Sequence, residues 1–291
     1  MGSAACAAVF NSPREKGAHS WEKNMQAAMQ PKPSRTDYST ITEQPGQRAT
    51  RLQLAMLRTR YAWASAHAAQ KDVAEIACGP GLGLGWIARM ARSVEAGDLD
   101  DAHCRVARET YAGRENIHIE TLDALHLPFA NSSLDLVLLF EAIYYLPDSE
   151  AFFEEARRVL RPGGKLLLAT VNCSWTGFNP SPFHVRYYSA PELMQAIERH
   201  GFQVHLRAGF PERRGILDWS IRFLRRMAVA TRLIPQTMAG KMLLKRLFYG
   251  SLEPIPFELL PDGIAEILHP IEPGADLRHF RTLYAEARKV K

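Results

Sequence analysis

Glu75 lies in the short apolar run Val73–Ala77, which breaks into Cys78-Gly79-Pro80-Gly81-Leu82-Gly83. A strand that ends in glycines ahead of a helix lets a ligand approach the backbone closely and turns amide donors toward it. Asp98 closes the next apolar run, Val94–Gly97, where a carboxylate can accept from both hydroxyls of a ribose. Asp123 follows a third run, Ile117–Thr121, where it can accept from an adenine amino group. A buried acid such as Glu75 needs a cationic or hydrogen-bonding partner. A ligand ammonium group or the glycine-loop amides would help supply one.

Two ligands are common at such a turn, a dinucleotide and S-adenosylmethionine. The dinucleotide pattern needs small residues at spacing 0, 2 and 5. From Gly79 the last of these positions is Leu84, and from Gly81 it is Trp86. Gly83, Gly85 and Ala88 fit a looser form, but well past the end of the strand. Plainer readings stay open residue by residue. Gly79 and Gly81 suit an ordinary tight turn, Asp98 a helix N-cap unless Asp100 or Asp101 caps instead, and Asp123 a turn. Glu75 could pair within the protein, and Cys78 reads as a small packed residue.

The elements that must position these residues alternate. Thr50–Ala68 has a helical apolar face, and after the glycine turn Leu84–Ala91 reads as a helix. Asp101–Tyr111, Glu150–Leu160 and Ala190–Arg199 are further helices; Pro162-Gly163-Gly164 and Gly201 stop the last two. Between them run strands at Val94–Gly97, Ile117–Thr121, Leu134–Phe140, Lys165–Val171 and Phe202–Ala208. Leu134–Phe140 is apolar enough to be buried on both faces. The alternation predicts a mainly parallel sheet with helices on both faces. Arg278–Lys289 reads as a returning strand, because Phe280, Thr282 and Tyr284 alternate.

With these residues in place, Val73–Gly83 (V-A-E-I-A-C-G-P-G-L-G) resembles the first motif of class I S-adenosylmethionine-dependent methyltransferases. Four further segments resemble that family's motifs in order. They are Gly97-Asp98-Leu99-Asp100, then Leu122-Asp123-Ala124 with Leu127-Pro128-Phe129, then Ser133–Leu146, then Arg158–Gly164. The likeness covers roughly residues 70–209. It implies an α/β, Rossmann-like methyltransferase sheet of order 3-2-1-4-5-7-6 with strand 7 antiparallel. S-Adenosyl-L-methionine is the implied cofactor, with contacts at Glu75, Ala77, Gly79, Pro80, Gly81, Asp98, Leu99, Asp123, Ala124 and Phe140. In related enzymes an N-terminal lid covers the methionine end, which brings in Tyr38 and Arg60. The family's E-x-G-x-G-x-G has Ala77 at its first glycine, a replacement that is tolerated if its φ is negative.

On this reading residues 1–36 are a mobile tail, 37–70 lid helices, 71–210 the core, 211–276 a basic helical insertion and 277–291 the final strand. The segment after Phe140 offers Glu141, Tyr144 and Tyr145. A tyrosine with its ordinary pKa of ~10 is a poor base, so Tyr145 orients rather than deprotonates. His184, in the loop after the fifth strand, is the first candidate base. Tyr187 and Tyr188 belong to the same rim. The expected reaction is methylation of a small molecule, most readily at oxygen. Its competitors are a membrane-surface enzyme acting on a lipid or isoprenoid, and a non-catalytic cofactor-binding module.

Charge is uneven. The chain has 36 basic and 31 acidic residues, net +5. Between Phe210 and Gly250 stand nine basic residues and two acids, interleaved with apolar ones. That segment suits a helical lid, an anionic membrane surface at 213–246, or a clamp on an anionic substrate or RNA. Phe140-Glu141-Ala142-Ile143 stands where base-amino methylases carry N/D-P-P-Y/F, so no nucleic-acid partner is expected. Four scattered cysteines without a C-x-x-C pair argue against zinc and for a reducing compartment. No run approaches ~20 apolar residues. Ala4–Phe10 lacks a basic n-region, and Cys6 stands where a myristoylation pattern needs Ser or Thr. A cytoplasmic location is expected.

Overall fold

The computed structural model describes residues 42–212, 252–263 and 265–290. The 1–36 tail, Tyr38 and the basic stretch 213–250 lie outside the described residues.

The strands are β1 (Arg48–Thr50), β2 (Asp72–Ile76), β3 (Ser93–Asp98), β4 (Ile117–Thr121), β5 (Leu134–Phe140), β6 (Leu160–Val171), β7 (Phe202–Pro211), β8 (Leu252–Pro254), β9 (His269–Pro270) and β10 (Phe280–Lys289). Eight of them form one sheet of order β4-β3-β2-β5-β6-β10-β7-β9. β2 pairs in parallel with β3 and β5, while β10 is antiparallel to both β6 and β7. With the edge strand β9 set aside, this is the expected 3-2-1-4-5-7-6 order. β1 and β8 form a separate two-stranded sheet joining segments some two hundred residues apart.

Helices α1 (Arg51–Ser65), α2 (Leu84–Ala88) and α3 (Asp101–Tyr111) cover one face, and α4 (Ser149–Val159) and α5 (Ala190–Arg199) the other. β5 is buried along nearly all its length because both faces are covered: Val137 and Leu139 pack toward Phe152 and Phe153, Leu136 and Leu138 toward Leu57 and Trp63. Burying each phenylalanine contributes about 2–3 kcal/mol. Local signals start the helices. Thr50 and Gln53 form a reciprocal cap on α1, Ser189 and Glu192 one on α5, and Asp100 and Asp148 accept from the first turns of α3 and α4.

Several boundaries differ from the sequence expectation. α2 ends at Ala88, and the amides of Met90 and Ala91 bond back to the Ile87 carbonyl, a closing turn that leads toward β3. Pro162-Gly163-Gly164 does more than stop a helix. It lies inside β6, where the register against β5 jumps between Leu134 and Leu136. β7 runs to Pro211 because β10 pairs with it as far as Phe280.

Candidate active site

The carboxyl ends of β2, β3, β4 and β5 open into a cavity of about 770 Å³, roofed by α1 and the segment before β1. The turn after β2 carries positive φ at Ala77 (56°), Gly79 (56°) and Gly81 (76°). Ala77 therefore does not have the negative φ under which alanine would replace that glycine without strain. The Cys78 amide bonds the Gly97 carbonyl at 3.0 Å, holding the turn against β3 and imposing that conformation on an L-residue. Ala77, Gly79 and Pro80 line the cavity. Gly81 is not among the lining residues. It faces α3, where Tyr111 Oη donates to its carbonyl at 2.8 Å and an added Cβ would lie 2.9 Å from Ala107 Cβ. Gly83 is required by Tyr61, whose ring would lie 2.1 Å from a Cβ there.

That approach serves Glu75. Tyr61 Oη donates to Glu75 Oε1 at 2.7 Å, while Oε2 is buried with no hydrogen-bond partner among the described residues. Burial raises this carboxyl to about 7, although the Tyr61 hydroxyl and the Arg60 charge pull the other way. Glu75 is 2% exposed and lines the cavity.

Asp98 is held from several sides. Oδ2 accepts from the Gly79 amide at 2.9 Å, Oδ1 from the Asp100 amide at 2.9 Å, and His103 Nδ1 lies 3.6 Å from Oδ1. Burial presses its pKa up, but His103 and the two amides outweigh it and keep the carboxyl below its ordinary value. Asp100, not Asp98, caps α3. Sequence reading missed His103, a buried residue of α3 whose Nε2 meets Gln44 Nε2 at 2.8 Å. If that Gln44 nitrogen donates, the proton of neutral His103 lies on Nδ1, facing Asp98. Gln44 belongs to the roof segment, as do Thr42, whose methyl lies over Gly79, and Glu43.

Asp123 both turns the chain and reaches the cavity. It accepts from the Leu125 amide at 2.9 Å and pairs with His126 at 3.0 Å, with its side chain half exposed. Leu99, Ala124 and Phe140 also line the cavity. Arg60 lines it too, buried and donating to Glu43 Oε2 at 3.1 Å. Burial works against its charge, but Glu43 and Glu141 keep the guanidinium firmly protonated.

Glu141 continues from β5 with φ 52°, its amide bonded to the Ala169 carbonyl. Tyr144 Oη donates to Glu141 Oε2 at 3.1 Å. Burial raises the Glu141 carboxyl; Arg60 opposes the shift and Glu43 adds to it. Tyr145 and Tyr187 complete this wall, Tyr145 donating to Ser181 Oγ at 3.2 Å. His184 does not reach it. Its exposed ring stacks on Tyr187 at 4.8 Å and its Nδ1 lies on the Ser181 carbonyl, outside the lining. The loop is where the sequence put it, but the side chain points away. Tyr188 is buried beneath, against Ser149. Among the described residues no metal-holding cluster occurs and no helix is long and apolar enough to cross a membrane.

A sheet of this order, with a glycine turn and acids after its first three parallel strands, defines a Rossmann-like nucleoside-binding fold. Residues 74–168 match the profile of a methyltransferase domain. A Mycolicibacterium smegmatis protein named "Probable S-adenosylmethionine-dependent methyltransferase" is 35% identical over 160 residues, 53% of this chain and 60% of that protein. A ubiquinone biosynthesis O-methyltransferase of Rhizobium etli is 32% identical over 102 residues, 34% of this chain and 41% of that protein. The chain thus spans 60% or less of the length of these curated relatives. Among solved structures, the [4+2]-cyclase SpnF superposes with TM-score 0.55 at 16% identity, covering 86% of this chain and 87% of its own. The YcgJ protein of Bacillus subtilis superposes with TM-score 0.52 at 16% identity, covering 81% of this chain and 99% of its own. Residues 74–168 thus form a methyltransferase domain similar to S-adenosylmethionine-dependent methyltransferases, and S-adenosyl-L-methionine is the cofactor that likeness implies.

Proposed function

We propose that the protein transfers the methyl group of S-adenosylmethionine to a hydroxyl oxygen of a small molecule. The observation that carries this reading is the continuity of one cavity. The glycine turn, Asp98 and Asp123 open into the same space as Glu141 and the tyrosine wall. The fold alone would not suffice, since a cyclase shares it.

The residues present fit the cofactor. The buried Oε2 of Glu75, without a hydrogen-bond partner among the described residues, suits its ammonium group. Asp98, fixed by two amides and low in pKa, suits the ribose hydroxyls, and Asp123 the adenine amino group. Ala77, Gly79 and Pro80 give the close backbone approach, Leu99, Ala124 and Phe140 the apolar contacts, and Arg60 stands at the carboxylate end. When bound, S-adenosylmethionine supplies an activated methyl group, so alignment and exclusion of water carry much of the catalysis. Glu141 takes the proton of the acceptor hydroxyl. Its raised carboxyl is better matched to that task than an ordinary glutamate. Tyr144 holds its Oε2, and Tyr145 orients the acceptor. The name of the Rhizobium etli relative, an O-methyltransferase, agrees with an oxygen acceptor.

Calorimetry tests the reading. S-Adenosylhomocysteine binds the wild type, and Asp98→Ala abolishes binding; binding of NADH in its place refutes the proposal. Glu141→Gln depresses turnover while leaving S-adenosylhomocysteine affinity unchanged.

A further inference from the structure

The acceptor half of the cavity has a charge and a shape that narrow its substrate. We infer that the acceptor is a neutral compound bearing its hydroxyl on a flat apolar ring, and that acceptors with an anionic group near the reacting oxygen are excluded. This inference rests on the methyl-transfer reading above.

Charge is the first observation. Five carboxyl side chains line the cavity against one cation among the described lining residues, Arg60; Glu75, Asp98 and Asp123 stand on the cofactor side, and Glu43 and Glu141 on the acceptor side. Arg60 is turned to Glu43 at 3.1 Å, so its charge is largely compensated. The acidity does not follow from composition, because the chain carries a net charge of +5. A carboxylate or phosphate beside Glu141 would be a like charge in a partly desolvated space, which is strongly unfavourable. A positively charged donor suits the same lining.

The second observation is the wall facing that space. Tyr144 and Tyr187 stack with ring centroids 4.9 Å apart and 29° between planes, and Tyr145 meets Tyr144 edge-on at 4.4 Å. Their hydroxyls are engaged with the protein: Tyr144 donates to Glu141, Tyr145 to Ser181 Oγ, and Tyr187 Oη accepts from the Ser181 amide at 2.8 Å. Tyr187 is stacked by both Tyr144 and His184, so the wall offers the cavity aromatic edges rather than open faces, with Leu146 and Pro147 beside them. A flat ring packs on such a surface through offset or edge contacts. Glu141, the carboxylate of this wall, matches one reacting hydroxyl. Its proton-accepting role requires that hydroxyl to arrive neutral.

The test uses the full chain saturated with S-adenosylhomocysteine, titrated by calorimetry with three probes of similar size. 2-Naphthol is flat and neutral, 2-naphthoate flat and anionic, and 2-decalol neutral but not flat. The expected order puts 2-naphthol roughly tenfold or more tighter than 2-naphthoate, with 2-decalol also weaker. Glu141→Gln narrows the naphthol–naphthoate gap by strengthening naphthoate. Tyr187→Leu narrows the naphthol–decalol gap. The wild-type comparison decides the matter even if a variant does not fold. Equal or tighter binding of naphthoate, equal binding of decalol, or no binding of naphthol to the loaded protein overturns the inference. Failure of S-adenosylhomocysteine itself to bind overturns instead the reading beneath it.

Discussion

Burial lifts the Glu75 carboxyl from 4.5 to about 7 against the Tyr61 hydroxyl and the Arg60 charge. The unfolded chain gives up this proton near 4.5, and the folded, ligand-free chain holds it until about 7. Where the folded state binds more protons than the unfolded state, stability falls as pH rises. The contribution is fully present below 4.5 and lost by the time pH passes about 7. A shift of this size corresponds to about 3 kcal/mol. Glutamine keeps an oxygen for Tyr61 and never ionises. Glu75→Gln should therefore match the wild type near pH 4.5 and exceed it by about 3 kcal/mol at pH 8. Urea unfolding of both proteins without cofactor, at intervals across that range, measures the difference directly. Tyr61, Cys78 and Tyr111 nearby all titrate above the window, so they drop out of it. The same variant loses the ionised partner for the cofactor ammonium. Its S-adenosylmethionine affinity should fall roughly tenfold or more, and the rise in affinity from pH 6 to pH 8 expected of the wild type should vanish. A stability difference that is flat with pH would refute the reasoning, as would unchanged cofactor affinity.

Other perturbations address the turn and the roof. Ala77→Gly relieves an L-residue held at φ 56°; against the greater unfolded-state freedom of glycine, a net gain of about 0.5–1 kcal/mol is expected. Scanning calorimetry should show a rise of roughly 1–2 °C for a chain of this length, and a fall would mean that alanine is at ease there. His103→Ala removes the contact between Gln44 and Asp98, so S-adenosylhomocysteine affinity should weaken and amide exchange at 42–47 should quicken. His103→Asn should recover part of both, and equal affinity in all three proteins would show that His103 only fills space.

The order of the sheet was legible because each strand carries its own signal. β5 is continuously apolar, and glycines or acids close β2 and β3. The resemblance supplied the antiparallel return of β10, which alternation alone did not fix. The φ of Ala77 was not legible, because it is imposed by the Cys78 amide reaching Gly97 across the sheet. His103 gave no warning either. On an amphipathic helix it reads as a packed residue, and its partners are five residues back and fifty-nine residues back. His184 shows the opposite limit: the sequence placed its loop correctly, but the Ser181 carbonyl and the Tyr187 ring set its direction. The β1–β8 pairing joins two tripeptides too short to show a period.

That small pairing fixes one end of the segment that leaves β7. At the departing end the Glu212 amide bonds the His279 carbonyl and its carboxylate pairs with Arg281 at 3.1 Å. At the returning end β8 is tied to β1, Leu259 bonds the Leu82 carbonyl, and Glu258 pairs with Arg114 at 2.9 Å. Both ends are therefore pinned to the cofactor-binding framework. The returning end also leans on the glycine turn's helix: Glu258 occupies the space that a Cβ on Gly85 would need, so Gly85, Glu258 and Arg114 can change only together.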